Sequence, residues 1–323
     1  MQSKANWLAV LAWAFAGMVS VADWAPNKSI RLIVPYAPGG TTDLVGRVLA
    51  IPLGQELGQQ IVIENRGGAG GSIGMGAVAK AAPDGYTLGM PAIGAHASNE
   101  TLIRDLPYNT EKDFQSLSFV GASPLVLVVH PSNPADSVQK LLARRQELGR
   151  PLTFASGGLG LTAHIAGELL KLRSGQADMT HIGYKGGGPA MVDMMGGQVD
   201  MLFVPIGSAL PHVRAGKLKP IAVAAKERSS KLPGVPTMLE SGYPDFVMAE
   251  SFGVVGPAGL PPDVARRLID AIKLVLRNPE LIRKFDEQGV EASSSSPQEL
   301  SDYIQSEVRR YRDVITRAGI KAN

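Results

Sequence analysis

The sequence predicts an α/β protein of two lobes with mostly parallel sheets, joined where the chain crosses twice between them. Three observations predict it. Apolar strand-like runs alternate with helix-like runs, the pattern of βα units. Three glycine-rich turns each leave a strand and open a helix: one around Pro38-Gly39-Gly40, one around Gly157-Gly158, one around Gly186-Gly187-Gly188. And 323 residues suffice for two cores of ordinary size.

The first 22 residues carry Lys4, then an apolar stretch over 7–19 that is too short to span a membrane, then Ser20-Val21-Ala22. Small residues at that point predict a secretory signal cleaved after Ala22. Residues 31–36, 60–64 and 87–90 read as strands. Residues 43–57 predict a helix with Leu44, Val45, Val48, Leu49 and Leu53 along one side, and Pro52 inside it predicts a kink or a split. Residues 72–81 predict a second helix, stopped by Pro83-Asp84-Gly85.

In the middle of the chain, 125–129 reads as a buried strand and 138–148 as a helix. Strand 152–155, helix 162–172, strand 179–184, helix 189–195 and strands 199–204 and 218–225 follow. A proline-rich irregular stretch covers 231–244, and 251–255 is the last strong strand. Two amphipathic helices, 262–277 and 298–318, end the sequence. Lobe boundaries are expected near 121–124 and near Glu250. Residues 23–122 and 250–323 would then form lobe 1 and 123–249 lobe 2, leaving two crossings as a hinge.

Composition narrows the function. Hydrophobic residues make up 45% and charged residues 19%, as in a folded protein. A net charge of +3 without a basic, aromatic-interleaved run gives no footprint for nucleic acid. Cysteine is absent, so there is neither a disulfide nor a lipid attachment point. An exported chain of this kind reads as a free soluble periplasmic protein.

The turns carry the chemistry. A turn between a strand and a helix presents free backbone N–H groups and the positive end of the helix dipole, a ready anion site. In the first turn the candidates are Tyr36, Pro38, Gly39, Gly40, Thr41, Thr42 and Asp43. The N–H groups of Gly40 to Thr42 are the expected ligand contacts, and Thr42 or Asp43 the N-cap. Asp43 reads equally as a cap or as a contact to ligand or water. The second turn offers Ser156, Gly157, Gly160 and Thr162, with His164 in the first helical turn as a packing or capping residue that could face the ligand. The third offers Gly186, Gly187, Pro189 and Ala190, with Pro189 suited to the first helical position. Lys185 reads as a solvated side chain, with a counter-charge to the ligand as the alternative.

Rival chemistries are weaker. Gly158-Leu159-Gly160-Leu161-Thr162-Ala163 fits a dinucleotide fingerprint, yet the next strand ends in Tyr184-Lys185 without an acid for a ribose hydroxyl. Gly70-Gly71-Ser72-Ile73-Gly74 fits a nucleophile elbow, but residues 66–70 separate Ser72 from its strand and no histidine is tied to it by spacing. No pattern for zinc, calcium or a phosphate loop is present. No catalytic residue, cofactor or metal is expected.

Several segments resemble the substrate-binding proteins of tripartite tricarboxylate transporters, the Bug receptors of β-proteobacteria. They are RLIVPYAPGGTTD (31–43), IVIENRGGAGGSIG (61–74), AAPDGYTL (81–88), LPYNTEKDF (106–114), HIGYKGGGPAMVDMMGGQVDMLF (181–203) and GVPTMLESGYP (234–244). They follow the family's order along nearly the whole mature chain. The resemblance implies a periplasmic Venus-flytrap fold, two Rossmann-like α/β domains on a two-crossing hinge. It also implies delivery of a small organic carboxylate to membrane permease subunits. The first two turns would grip the carboxylate, partly through waters. The loop at 93–98 with His96, the segment 186–190, and Asp200 would border the pocket. Asp200 reads either as an acceptor for an ammonium group or as a strand end. Two departures stand out: Leu159 and Leu161 where small hydroxyl residues are usual, and Pro52 inside a helix that is usually uninterrupted. A monomer is expected, since closure needs free lobes. The identity of the carboxylate is not legible.

Overall fold

The structure is a computed structural model that describes residues 24–321. The expected secretory signal lies outside the described residues. Along the chain run β1 (Ile30–Val34), α1 (Thr41–Leu57), β2 (Ile61–Asn65), a 3-10 turn (Ala69–Gly71), α2 (Ser72–Ala79), β3 (Thr87–Gly89), α3 (Ile93–Leu102) and β4 (Phe114–Val129). Then come α4 (Val138–Leu148), β5 (Thr153–Ser156), α5 (Thr162–Ser174), β6 (Thr180–Gly183), α6 (Gly187–Met195), β7 (Met201–Pro205), α7 (Ile206–Arg214) and β8 (Lys219–Val223). β9 (Ala249–Pro257), α8 (Pro262–Val275), α9 (Pro279–Glu287), β10 (Glu291–Ala292) and α10 (Pro297–Arg317) complete it.

The strands lie in the order β2-β1-β3-β9-β4-β7-β5-β6, with β8 and β10 also pairing with β4. Pairing is parallel where the βα units sit: β1 with β2 and β3, and β5 with β6 and β7. It is antiparallel wherever β4 or β9 takes part: β4 with β7, β8, β9 and β10, and β9 with β3. The sheet is therefore mixed, where the sequence predicted mostly parallel pairing, because one long strand runs through its middle. Over residues 114–124 β4 pairs with β9, ending at Ser123↔Glu250 and Pro124↔Ala249. From Leu125 onward it pairs with β7 and β8 instead. This change of partners makes two strand sets that share only β4.

Each set has its own core. On one side Leu32, Val34, Leu49 and Leu53 pack with Phe252, Leu268 and Phe285. On the other Leu127, Phe154, Ile165 and Phe203 pack with Tyr311 and Ile315 of α10. The earlier part of α10 belongs elsewhere: Leu300 and Ile304 pack with Ile33, Met75 and Ile93. So α10 straddles both strand sets. A reciprocal Ser296–Glu299 capping box fixes its start.

The split expected at Pro52 as the alternative to a kink does not occur, since α1 is one helix of 17 residues through it. Leu49, Leu53 and Leu57, on both sides of the proline, are buried in the same core. That burial offsets the one backbone hydrogen bond that proline removes.

Candidate functional site

The first turn is built as a backbone cradle held from behind by side chains. Gly39 adopts φ +84°, a conformation that favours glycine, and turns the chain into α1. The N-cap is Gly40 rather than Thr42 or Asp43, and no side chain caps the helix. The N–H groups of Thr41, Thr42 and Asp43 consequently have no acceptor among the described residues. Asp43 is buried and faces backward. Its carboxylate accepts from Gly39 N–H and Arg47 Nε, both at 2.9 Å, and from Asn65 Nδ2 at 2.9 Å. Burial opposes its ionisation, but these donors outweigh it and hold its pKa below the usual carboxylate value. Asp43 thus ties the turn to α1 and β2.

The second turn follows β5. Ser156 Oγ lies 2.7 Å from His181 Nε2 and accepts Gly158 N–H at 3.1 Å. His164, fully enclosed, accepts Gly160 N–H at its Nδ1 at 3.1 Å, so it shapes the loop from inside. Its ring lies 3.9 Å from that of His181, and burial with the neighbouring His164 lowers the His181 pKa to about 4. Gly160 has φ +76°, and a methyl there would fall 2.6 Å from Leu102 Cδ1. No side chain caps α5, so Thr162, Ala163 and His164 start it with open N–H groups. Leu159 is partly exposed, and Leu161 folds its side chain over Gly157.

The third turn abuts the second. Gly186 donates to the Gly157 carbonyl at 2.8 Å, and Tyr184 N–H to the Ser156 carbonyl at 2.9 Å. Gly186 is the N-cap of α6, so Pro189 occupies the third helical position rather than the first. Its missing N–H is still one of the first-turn groups that a helix leaves unpaired. Gly187 and Gly188 keep theirs open, and Ala190 packs inward. Lys185 is exposed.

Helix α3 joins the turns. The resemblance implied a loop at 93–98, and a helix is found there. Tyr36 reaches the carbonyl of its N-cap Ala92 at 3.5 Å. Two residues on, a methyl at Gly94 would fall 2.6 Å from Thr162 Oγ1 and 2.5 Å from the Tyr311 hydroxyl. The first and second turns thus flank the same end of α3. Tyr311, which sequence reasoning missed, is fully buried, and its hydroxyl sits beside Thr162, the first residue of α5. No sequence signal marked it, because it sits on an ordinary amphipathic face of α10.

Two further candidates have protein partners of their own. His96 is enclosed between Tyr108 and Phe114, with Nδ1 3.2 Å from the Tyr108 hydroxyl, and burial pushes its pKa down to about 4. Asp200 stands just before β7, beside Thr153 at the start of β5, whereas the second turn leaves the other end of β5. Its carboxylate takes Arg150 through two contacts of 2.7 and 2.9 Å, and also the N–H and hydroxyl of Thr153. Ser72, the elbow candidate, is buried at the start of α2 and makes no hydrogen bond to a histidine among the described residues. No group of three metal-ligating side chains occurs among the described residues.

The sequence profile described as "Tripartite tricarboxylate transporter family receptor" matches residues 45–320. The chain is 39% identical to protein BugT of Bordetella pertussis over 301 residues, covering 93% of this chain and 92% of that one. It is similar to the solved structure of R. palustris Rpa4515 with adipate, at 32% identity and a TM-score of 0.84, covering 92% of this chain and 99% of that one. It is also similar to MatC from Rhodopseudomonas palustris with bound malate, at 31% identity and a TM-score of 0.81, covering 90% and 99%.

Proposed function

We propose that this chain, which belongs to the tripartite tricarboxylate transporter receptor family, holds one small organic carboxylate between the start of α1 and the paired starts of α5 and α6. It is a two-lobed solute receptor of that transporter class, and its family consists of receptors rather than enzymes. The observation that carries the ligand reading is the set of open helix N-termini flanking α3. A hydrogen bond to a charged group contributes about 1.5–3 kcal/mol, and a helix N-terminus adds roughly 0.3–1 kcal/mol. Four or five such contacts, less the cost of association, reach about −8 kcal/mol, a micromolar affinity. Adipate in Rpa4515 and malate in MatC support a carboxylate as the guest here.

In this reading the contacts are the N–H groups of Thr41, Thr42 and Asp43, of Thr162 and Ala163, and of Gly187 and Gly188. The hydroxyls of Thr41, Thr162 and Tyr311 join them. Asp43, Ser156, His164 and His181 hold the turns in shape. Lobe 1 comprises 23–122 and 250–323, lobe 2 comprises 123–249, and α10 bridges them. The hinge lies where Ser123 and Pro124 pair with Glu250 and Ala249. The mature protein starts after Ala22 in the periplasm, acts as a monomer, and passes its ligand unchanged to permease subunits.

A thermal-shift panel of succinate, malate, adipate, glutamate and benzoate tests this. Ligand at 100 times its dissociation constant stabilises by about 2.7 kcal/mol. For a chain of this size that is a rise of about 4 °C in Tm. A panel of small mono- and dicarboxylates without any such rise refutes it.

A further inference from the structure

Glu250 is an acid that the protein itself leaves without a counter-charge. It lies at the hinge, half-buried, and no lysine or arginine pairs with it among the described residues. Strand geometry sets where it points. Its neighbours Ala249 and Ser251 line a pocket against Leu300 and Tyr303, and Ser251 Oγ is 2.9 Å from the Tyr303 hydroxyl. Successive side chains of a strand face opposite sides, so Glu250 faces away from α10. On that side the hydroxyl of Thr41, the first residue of α1, eases ionisation of its carboxyl, and the carboxylate charge in turn opposes ionisation of the Tyr36 phenol.

A second orphan shares that face. Ser123 is the cross-strand partner of Glu250, and directly opposed residues project to the same side of a sheet. Ser123 is fully buried, yet its hydroxyl has no hydrogen-bond partner among the described residues. A buried hydroxyl without a partner and an acid without a counter-charge at one spot are costly, and a donor-rich cation satisfies both.

Resting on the carboxylate reading above, we propose that Glu250 determines the specificity of the cleft by accepting an ammonium group of the ligand, with Ser123 beside it, so that the guest is an amino carboxylate. The carboxylate end lies on the open N–H groups of α1, and the ammonium lies over Glu250 on β9. Asp200, spent on Arg150 and Thr153, cannot serve this purpose. Burial raises the Glu250 pKa to about 7 in the unliganded protein, as expected for an acid that lacks its cation.

The test is calorimetric titration of the full chain with matched pairs: aspartate and succinate, glutamate and glutarate, phenylalanine and 3-phenylpropionate. In at least one pair the amino member binds about 10- to 100-fold tighter, the range of one charge-assisted hydrogen bond. Glu250→Gln removes that preference while the des-amino member binds as before. Runs at pH 6.5 in two buffers of different ionisation enthalpy show proton release with the amino ligand and none in Glu250→Gln. Carboxylate binding without amino preference, or a preference that survives Glu250→Gln, overturns the assignment and leaves the receptor reading standing. Proton uptake with a plain carboxylate also overturns it, because Glu250 would then act as a neutral donor. No binding by any member of any pair sinks both.

Discussion

Gly186 donates its backbone N–H to the carbonyl of Gly157 at 2.8 Å, which makes the second and third turns a single surface. The two loops therefore move together with β5 and β6. The first turn is braced separately, by Asp43 reaching back to Gly39 and Asn65. Relative motion of the strand sets changes the distance between these two rigid pieces.

Glycine substitutions separate binding from folding. A methyl at Gly40 would meet only the Ala37 carbonyl at 3.7 Å, and Gly40 has an ordinary extended backbone. Gly40→Val therefore folds normally and loses at least about 10-fold in carboxylate affinity, about 1.4 kcal/mol. Gly160→Ala, with φ +76° and a close approach to Leu102, loses about 1–3 kcal/mol of stability. Chemical denaturation and titration of both variants check the contrast.

Asp200→Asn weakens the fold and spares the ligand. Burial opposes ionisation of Asp200, and the donors Arg150 and Thr153 outweigh it, so its pKa is depressed. Its stabilisation is present above the ordinary carboxylate pKa and is lost as pH falls through the folded value. The variant loses about 1–2 kcal/mol at pH 7 with unchanged affinity. Urea unfolding and titration read the two quantities.

Acid weakens the protein through buried histidine. His96 has its pKa lowered by burial to about 4, against about 6.5 in the unfolded chain. The unfolded chain takes up the proton first, so this stability is fully present above pH 6.5 and declines as pH falls toward 4. The loss is of order 3 kcal/mol at pH 4. Melting curves from pH 7 to 4 show a steeper decline in wild type than in His96→Gln.

Glu250 has the opposite sign. Burial raises its pKa to about 7, so its penalty on the unliganded fold is absent below the ordinary carboxylate pKa and grows as pH rises through 7. Without ligand, Glu250→Gln is more stable than wild type at pH 8, by up to about 3 kcal/mol, and equal to it at pH 4. Equal stability at both pH values contradicts this account of Glu250.

The three turns were legible because strand-turn-helix units have strong local signals. Pro38-Gly39-Gly40, Gly157-Gly158 and Gly186-Gly187-Gly188 need particular backbone shapes, and the flanking apolar runs set the strands. Helix α3 was not legible. Ile93-Gly94-Ala95-His96-Ala97-Ser98-Asn99 is buried on almost every side, so it has no polar face to give a helical period. The first half of β4 was missed because Gln115, Ser116 and Ser118 are polar and held by pairing with β9. Glu250 and Tyr311 were invisible for a related reason: which face of a strand or helix meets the cleft is decided by distant partners.

Hydrogen–deuterium exchange with and without the tightest-binding carboxylate of the panel tests the central claim most directly. Segments 39–45, 157–165 and 186–192 are each predicted to gain protection, with one shared midpoint, because amides from both lobes grip one anion. Protection confined to a single segment, or absent from all three at saturating ligand, contradicts the account.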